Sequence, residues 1–336
     1  MWQIHNRTPF AAAQSWVRNL DGAETWIVVV KATFDIADDG FTSISERQPP
    51  PTRTPVYRGE PGRSSIEYEN DFVLAKTTTD IVVNGTACAP SGRPLSSVDV
   101  AFKVGPVAKV LRVTGDRSWR MAGSGLSDPE PFLTMPLTYE RAFGVADPRS
   151  ATPEVDWYWS NPVGTGFAVS DRDLSAIRVP NIEYPDDPIR SLKARPRPAG
   201  FGVIGPHWQE RARYAGTYDK AWADERQPLL PADFDLRHYQ VVARDQQAPR
   251  FLSGGEPVSL VNLTPSGMLR FVLPRLEVTL ETRFMDDEQR EHVPQLHTVI
   301  LEPDFPRVSL VWHSAIEYPA ALPESSRYEN GRASLR

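Results

Sequence analysis

Two aspartates set two residues apart, Asp233 and Asp235, have the types and spacing that come nearest to a reaction centre. Side chains of an extended backbone alternate between faces, so both carboxylates would project together. Paired carboxylates can ligate a metal ion or divide the acid and base roles of glycoside hydrolysis. Glu256 is a third acid that such a site could use. Arg237 falls on the same face, however, and an ion-pair cluster is the simpler reading, because paired charges perturb one another without catalysis.

Other motifs are weaker. Gly200-x-Gly202-x-x-Gly205 matches the dinucleotide fingerprint letter by letter. That fingerprint works when a strand precedes it and a helix follows, so that backbone amides meet a pyrophosphate. Here Pro196 and Pro198 precede and Pro206 follows, which predicts a turn-rich loop; Gly164 and Gly166 read the same way. His292 and His297 are five apart and fall on opposite faces of a strand. With no His-Glu-x-x-His pattern and Cys88 as the single cysteine, no metal site is expected. Cys88, flanked by Ala87 and Ala89, reads as a small buried thiol. No Gly-x-Ser-x-Gly elbow occurs, and no cofactor is expected.

Recognition chemistry is better represented. In an extended segment Trp157 and Trp159 point together and Tyr158 points away. They either plug a seam in the fold or stand as exposed anchors of the kind that dominate interfaces. Arg190, Lys193, Arg195 and Arg197 form a basic run, read as a solvated loop or as a surface that meets an acidic partner. Tyr218 and Trp222 share one face of a short helix, with Thr217 as its expected N-cap and Pro228 as its stop.

The elements that must position these residues are mostly strands. The 336 residues include 32 prolines, above an average usage of roughly 5%. Proline fixes φ and lacks a donor, which excludes long regular helices and favours short strands joined by shaped loops. Thr25–Phe34 and Phe41–Ser45 read as a hairpin about Gly40, and Val98–Val104 with Val107–Val113 as another about Gly105-Pro106. Asn84-Gly85 reads as a glycine bulge inside one strand. Leu236–Ala243, Pro257–Leu263, Leu269–Leu273, Glu277–Phe284, His297–Leu301 and Arg307–Trp312 are further strand candidates, and the tail from Pro323 reads as frayed. The expected fold is mainly β, with antiparallel sheets in two β-rich lobes, a loop-rich middle and a few short helices. The expected division is residues 1–150, 151–200 and 201–336, acting as one unit. A net charge of −6 argues against a general nucleic-acid binder. The opening residues lack a signal-peptide pattern, and no apolar run approaches the roughly 20 residues that span a bilayer; a cytoplasmic location is expected.

An ordered series of short motifs resembles a bacterial domain-of-unknown-function family found in type VI secretion loci. The series begins with Lys31-Ala32-Thr33-Phe34 and continues through Ser64, Ser65, Tyr68, Asp71, Lys76, Thr79 and Asp80. Gly115-Asp116-Arg117 with Trp119, Pro131-Phe132, Met135-Pro136-Leu137 and Arg141-Ala142-Phe143-Gly144 follow. Asn161-Pro162-Val163-Gly164-Thr165-Gly166-Phe167, Pro180-Asn181 with Glu183 and Pro185, Gly200-Phe201-Gly202, and the stretch Ala215–Asp235 complete it. Val145 stands where the pattern leads one to expect glycine, and Arg244 where it leads one to expect proline. The resemblance implies a non-catalytic adaptor or chaperone that binds a secreted toxic effector. It would help load that effector on a spike made of a valine-glycine repeat protein and a proline-alanine-alanine-arginine (PAAR) tip. Two alternatives stand beside it. One is a β-rich hydrolase or carbohydrate-active enzyme using Asp233, Asp235 or Glu256; the other is a spike component that self-assembles.

Overall fold

Strand β2, Glu24–Ile36, runs through thirteen residues rich in β-branched and aromatic types and is buried on both faces. Its even-numbered side chains, from Trp26 to Phe34, enter the main hydrophobic core, while Ile27 and Val29 enter a second core on the opposite face. A strand apolar on both sides must lie in a middle layer. In the computed structural model, which describes residues 3–120, 125–146, 157–168, 177–283, 289–317 and 332–335, that layer is a six-stranded sheet. Its other members are β1 (Ala11–Arg18), β3 (Asp80–Val83), β9 (Gln295–Glu302) and β10 (Arg307–Glu317), ordered β1-β2-β10-β9-β3, with Thr42–Ile44 paired onto β2. Pairing is antiparallel except for β9 with β3.

A five-stranded sheet covers one face of this layer. It contains β4 (Ser97–Val104), β5 (Val107–Thr114), β6 (Ile182–Glu183), β7 (Pro257–Val261) and β8 (Met268–Val272), in the order β6-β5-β4-β7-β8. Val100, Phe102 and Val104 of β4, with Leu260 of β7, meet the even-numbered side chains of β2 in the main core. Loops from residues 45–79 and 201–248 cover the other face, where Ile66, Phe72, Val203, Val241 and Val242 close the second core. The fold is mainly β, with several antiparallel sheets, and among the described residues only two short α-helices occur, α1 (Gln209–Ala212) and α2 (Lys220–Glu225).

The stretches 1–150 and 201–336 meet inside both sheets: β2 pairs with β10 and β4 pairs with β7. The intervening stretch adds β6 to the five-stranded sheet, and its Ile177, Val179, Ile189 and Leu192 gather with Trp119 and Phe143 in a small core of their own.

Three local expectations need correction. Asn84-Gly85 is not a bulge: β3 ends at Val83, and the chain crosses there to Thr86–Cys88, which pairs in a different sheet with Thr134–Pro136. Leu236–Ala243 is not a strand. Leu236–Tyr239 forms a 3-10 turn, because the Asp235 side chain accepts from the Arg237 amide and nucleates it. The N-cap of α2 is Asp219, which accepts from the Trp222 amide at 2.9 Å, rather than Thr217. The tail expected to fray lies largely outside the described residues.

Candidate functional site

The motif residues of the first third build a polar seam beneath the loop layer. Lys31 occupies the outer face of β2 two positions after Val29, and its ammonium lies 3.8 Å from the Asp71 carboxylate. Asp71 in turn accepts from the Thr52 amide at 2.7 Å. Lys76 donates to Asp80 at 2.6 Å and to Thr298 at 3.0 Å. Asp80 also accepts from Gln240 and from the Val241 amide, both at 2.8 Å. Burial still holds the Asp80 carboxyl above its usual range, with Lys76 pulling it back. Thr79 donates to the Leu296 carbonyl and accepts from the Leu252 amide. Ser65 donates to Glu140, and Tyr68 to Glu302. Most of these groups hold loop to sheet, and Ser65 with Glu140 holds loop to loop, since buried polar groups are costly unless paired.

The motifs of the middle stretch fold on one another. The Asn161 side chain donates to the carbonyls of Tyr139 and Phe143, at 2.9 and 3.0 Å, and its backbone carbonyl accepts from the Val145 amide. Asn181 donates to the Thr114 carbonyl and to Asp116, and accepts from Arg141 at 3.1 Å. Arg117 donates to the Pro180 carbonyl at 2.7 Å and lies 3.7 Å from Glu183. Around them opens a cavity of about 460 Å3 whose charged lining includes Asp116, Arg117, Glu140, Arg141 and Arg178. Arg141 and Arg178 have no acidic partner among the described residues. This polar, arginine-rich wall can bind anions.

Val145 adopts φ 70°, the left-handed region, which is strained for a β-branched residue. Glycine, which the resemblance leads one to expect there, adopts that conformation without the steric penalty. Arg244 opens the 3-10 turn Arg244–Gln246, after Ala243 at ψ 150°. Proline suits such a position, since the first amide of a helix has no partner inside it.

The sequence-predicted site residues do not come together in one place. Asp233 is held below the usual carboxylate range by the Thr217 amide and hydroxyl, which donate to it at 2.9 and 2.7 Å. Asp235 is lowered by its bond to Arg237. Each carboxylate is thus tied to its own local donors, Thr217 for Asp233 and Arg237 for Asp235. Glu256 accepts from the Ser253 amide beside the Gly105 turn. His297 stacks on His313 with ring centres 4.2 Å apart. Among the described residues no group of three or more His, Cys, Asp or Glu could hold a metal ion.

The basic run divides. Arg195 donates to the Ala168 and Leu192 carbonyls and lies 4.7 Å over the Phe167 ring. Arg197 pairs with Asp186 and Asp187 and covers Tyr184. Arg190 and Lys193 are exposed. Tyr158 packs inward against Phe143 at 5.0 Å, while Trp159 is 48% exposed. Trp157 pairs through its backbone with Ala146, and its side chain lies outside the described structure. Tyr218 does not share a helix face with Trp222, because it precedes the N-cap Asp219; the two rings still meet edge to face at 4.7 Å, with Tyr218 54% exposed. The Gly200–Gly205 segment is a loop: a β-carbon at Gly200 would meet the Tyr139 ring at 2.5 Å, and Phe201 lies in the main core. Arg178 and Tyr139 were not singled out from the sequence; nothing in their local pattern marks them.

A family model described as an uncharacterized protein conserved in bacteria, DUF2169, matches residues 21–313. Neither the curated proteins nor the solved structures provide a match.

Proposed function

We propose, on the premise that this chain belongs to the DUF2169 family of proteins conserved in bacteria, that it is a non-catalytic adaptor-chaperone. In this reading it binds a type VI secretion effector and helps load it on the spike and PAAR tip. The secretion context rests on the motif resemblance. One observation supports the adaptor role above the others: the motif residues Lys31, Asp71, Lys76, Thr79 and Asp80 tie loops to the middle sheet, and those of the middle stretch, Asn161 and Asn181 among them, tie its loops to one another. A chain whose signature residues fix loop shape is suited to presenting a surface.

The loops so fixed present Trp159 and Tyr218 half exposed. The Trp159 carbonyl accepts from the Gln209 amide, which places the tryptophan loop against α1. Tryptophan, tyrosine and arginine are the residue types that dominate interface energies. Holding an effector through such a surface would lower the population of its aggregation-prone states by mass action.

Co-purification of the tagged full chain with the effector encoded beside it tests the proposal. Recovery of the effector, reduced in a Trp159→Ala/Tyr218→Ala variant, is the expected result. Reproducible failure to retain effector, tip or spike removes it.

A further inference from the structure

A second cavity, of about 310 Å3, opens beside α1, and its wall includes Arg211, Arg213, Arg237 and Arg244 with Tyr214 and a single acid, Glu210. Two of the guanidinium groups lie over the Tyr214 ring, Arg213 at 4.9 Å and Arg237 at 4.4 Å from its centre. A guanidinium stacked on an aromatic ring keeps its N–H edge free to meet a carboxylate.

A charge inventory separates the four arginines. Arg211 is buried and bound to Glu69 at 2.6 Å. Arg213 lies 3.4 Å from Glu210, and Arg237 is paired with Asp235. Arg244 is exposed and has neither an acid nor a hydrogen-bonding partner for its side chain among the described residues. Three of the four cations are therefore compensated, and the wall carries one positive charge in a chain whose net charge is −6.

We propose that this cavity binds one aspartate or glutamate side chain of a protein partner, with Arg244 as its ion-pair. The charge count selects a monoanion. A phosphoryl dianion would find one uncompensated guanidinium and three neighbouring carboxylates, those of Glu69, Glu210 and Asp235. The setting selects a side chain on a protein, because Gln209 of α1 links this wall to the loop that displays Trp159. A carboxylate–guanidinium contact flanked by an aromatic anchor fits the rim-and-core organisation of interfaces. The identity of the partner rests on the adaptor reading above; the site's chemistry does not.

The test uses the full chain with labelled arginine side chains, followed by NMR. It is titrated with an N-acetylated, C-amidated triglutamate peptide, the triglutamine analogue, acetate and inorganic phosphate. Triglutamate is expected to shift the Arg244 resonance and triglutamine is not. Affinity for triglutamate should fall about tenfold or more, a change of about 1.4 kcal/mol, in Arg244→Ala and Arg244→Pro. Both variants should keep the wild-type Tm, since the position is exposed and its backbone suits proline.

Equal affinity of triglutamate for wild type and variants, or no binding to wild type, overturns the site. Tighter binding of phosphate overturns the ligand class, and acetate binding as tightly as the peptide overturns the assignment to a protein side chain. Failure here with effector co-purification intact removes the cavity alone. Lost co-purification with peptide binding intact removes the adaptor reading alone.

Discussion

Lys76 and Asp80 form a sealed ion pair: Nζ lies 2.6 Å from Oδ2, with the side chains 5% and 0% exposed. Removing one partner of a buried pair leaves an uncompensated charge and costs about 3–5 kcal/mol. Lys76→Met is expected to lose stability on that order in chemical denaturation. The sign of its pH dependence is specific. Burial raises the folded-state pKa of Asp80, and without Lys76 the raising grows. A carboxyl with a raised folded pKa favours the folded state at low pH and disfavours it as pH rises through the window. The deficit of Lys76→Met should therefore shrink on acidification, and a deficit that grows would contradict the pairing.

The stacked His297 and His313 rings predict a second pH response of opposite sign. His313 donates through Nε2 to the Val73 carbonyl at 2.7 Å, and burial lowers its pKa from 6.5 to about 4. His297 is also held well below its usual range, by burial first and then by the nearby His313 and Lys76, and it stacks on Phe251. Both histidines are neutral when folded and bind protons more readily when unfolded. Stability should be complete above about pH 6.5 and fall towards pH 4, at about 1.4 kcal/mol per pH unit for each proton taken up. His313→Gln keeps a donor for Val73 and removes one titration. Its slope between pH 6.5 and 4 should be shallower by about one proton; an unchanged slope would be contrary.

Val145 should be improvable. A left-handed conformation costs an L-residue roughly 1–2 kcal/mol, and Val145 holds φ 70°. Val145→Gly is expected to raise stability by about 1 kcal/mol, net of glycine's entropic disadvantage. Val145→Ala, which keeps the β-carbon, should gain less. A destabilised glycine variant would show that the valine side chain matters more than its backbone.

The three glycines of the 200–205 loop should respond unequally. A β-carbon would lie 2.5 Å from the Tyr139 ring at Gly200 and 2.6 Å from Trp208 at Gly205, yet meet nothing within 4 Å at Gly202. Overpacking a filled site costs about 1–3 kcal/mol. Gly200→Ala and Gly205→Ala should lower the Tm while Gly202→Ala leaves it unchanged. A phosphate-binding loop would instead lose nucleotide affinity at all three positions, and such a loss would revive the fingerprint.

What the sequence revealed was local. The hairpin Ser97–Thr114 is legible because Gly105, at φ 52°, and Pro106 sit between two runs rich in valine. Strand β2 is legible from its β-branched run. Its pairing with β10 was not: Lys31 faces Val311 across the whole length of the chain, and no turn signal announces such a partner. Ala11–Arg18 escaped notice because alanine and glutamine carry little strand preference; neighbouring β2 makes it a strand. Leu236–Ala243 has apolar residues suited to a strand, but the Asp235 side chain turns its first four residues into a 3-10 helix. At the candidate site, the aromatic and arginine types were legible and their roles were not. Arg195 and Arg197 lie in one basic run, yet one serves the small core of the middle stretch and the other two aspartates. Side-chain partners 10 to 30 residues away made that division.

Native mass measurement of the full chain co-expressed with the effector, tip and spike proteins encoded beside it is the most direct test of the central claim. A defined complex containing this chain and the effector is the predicted result. No complex with any of them, together with a substrate turnover that Asp235→Asn abolishes, would contradict it.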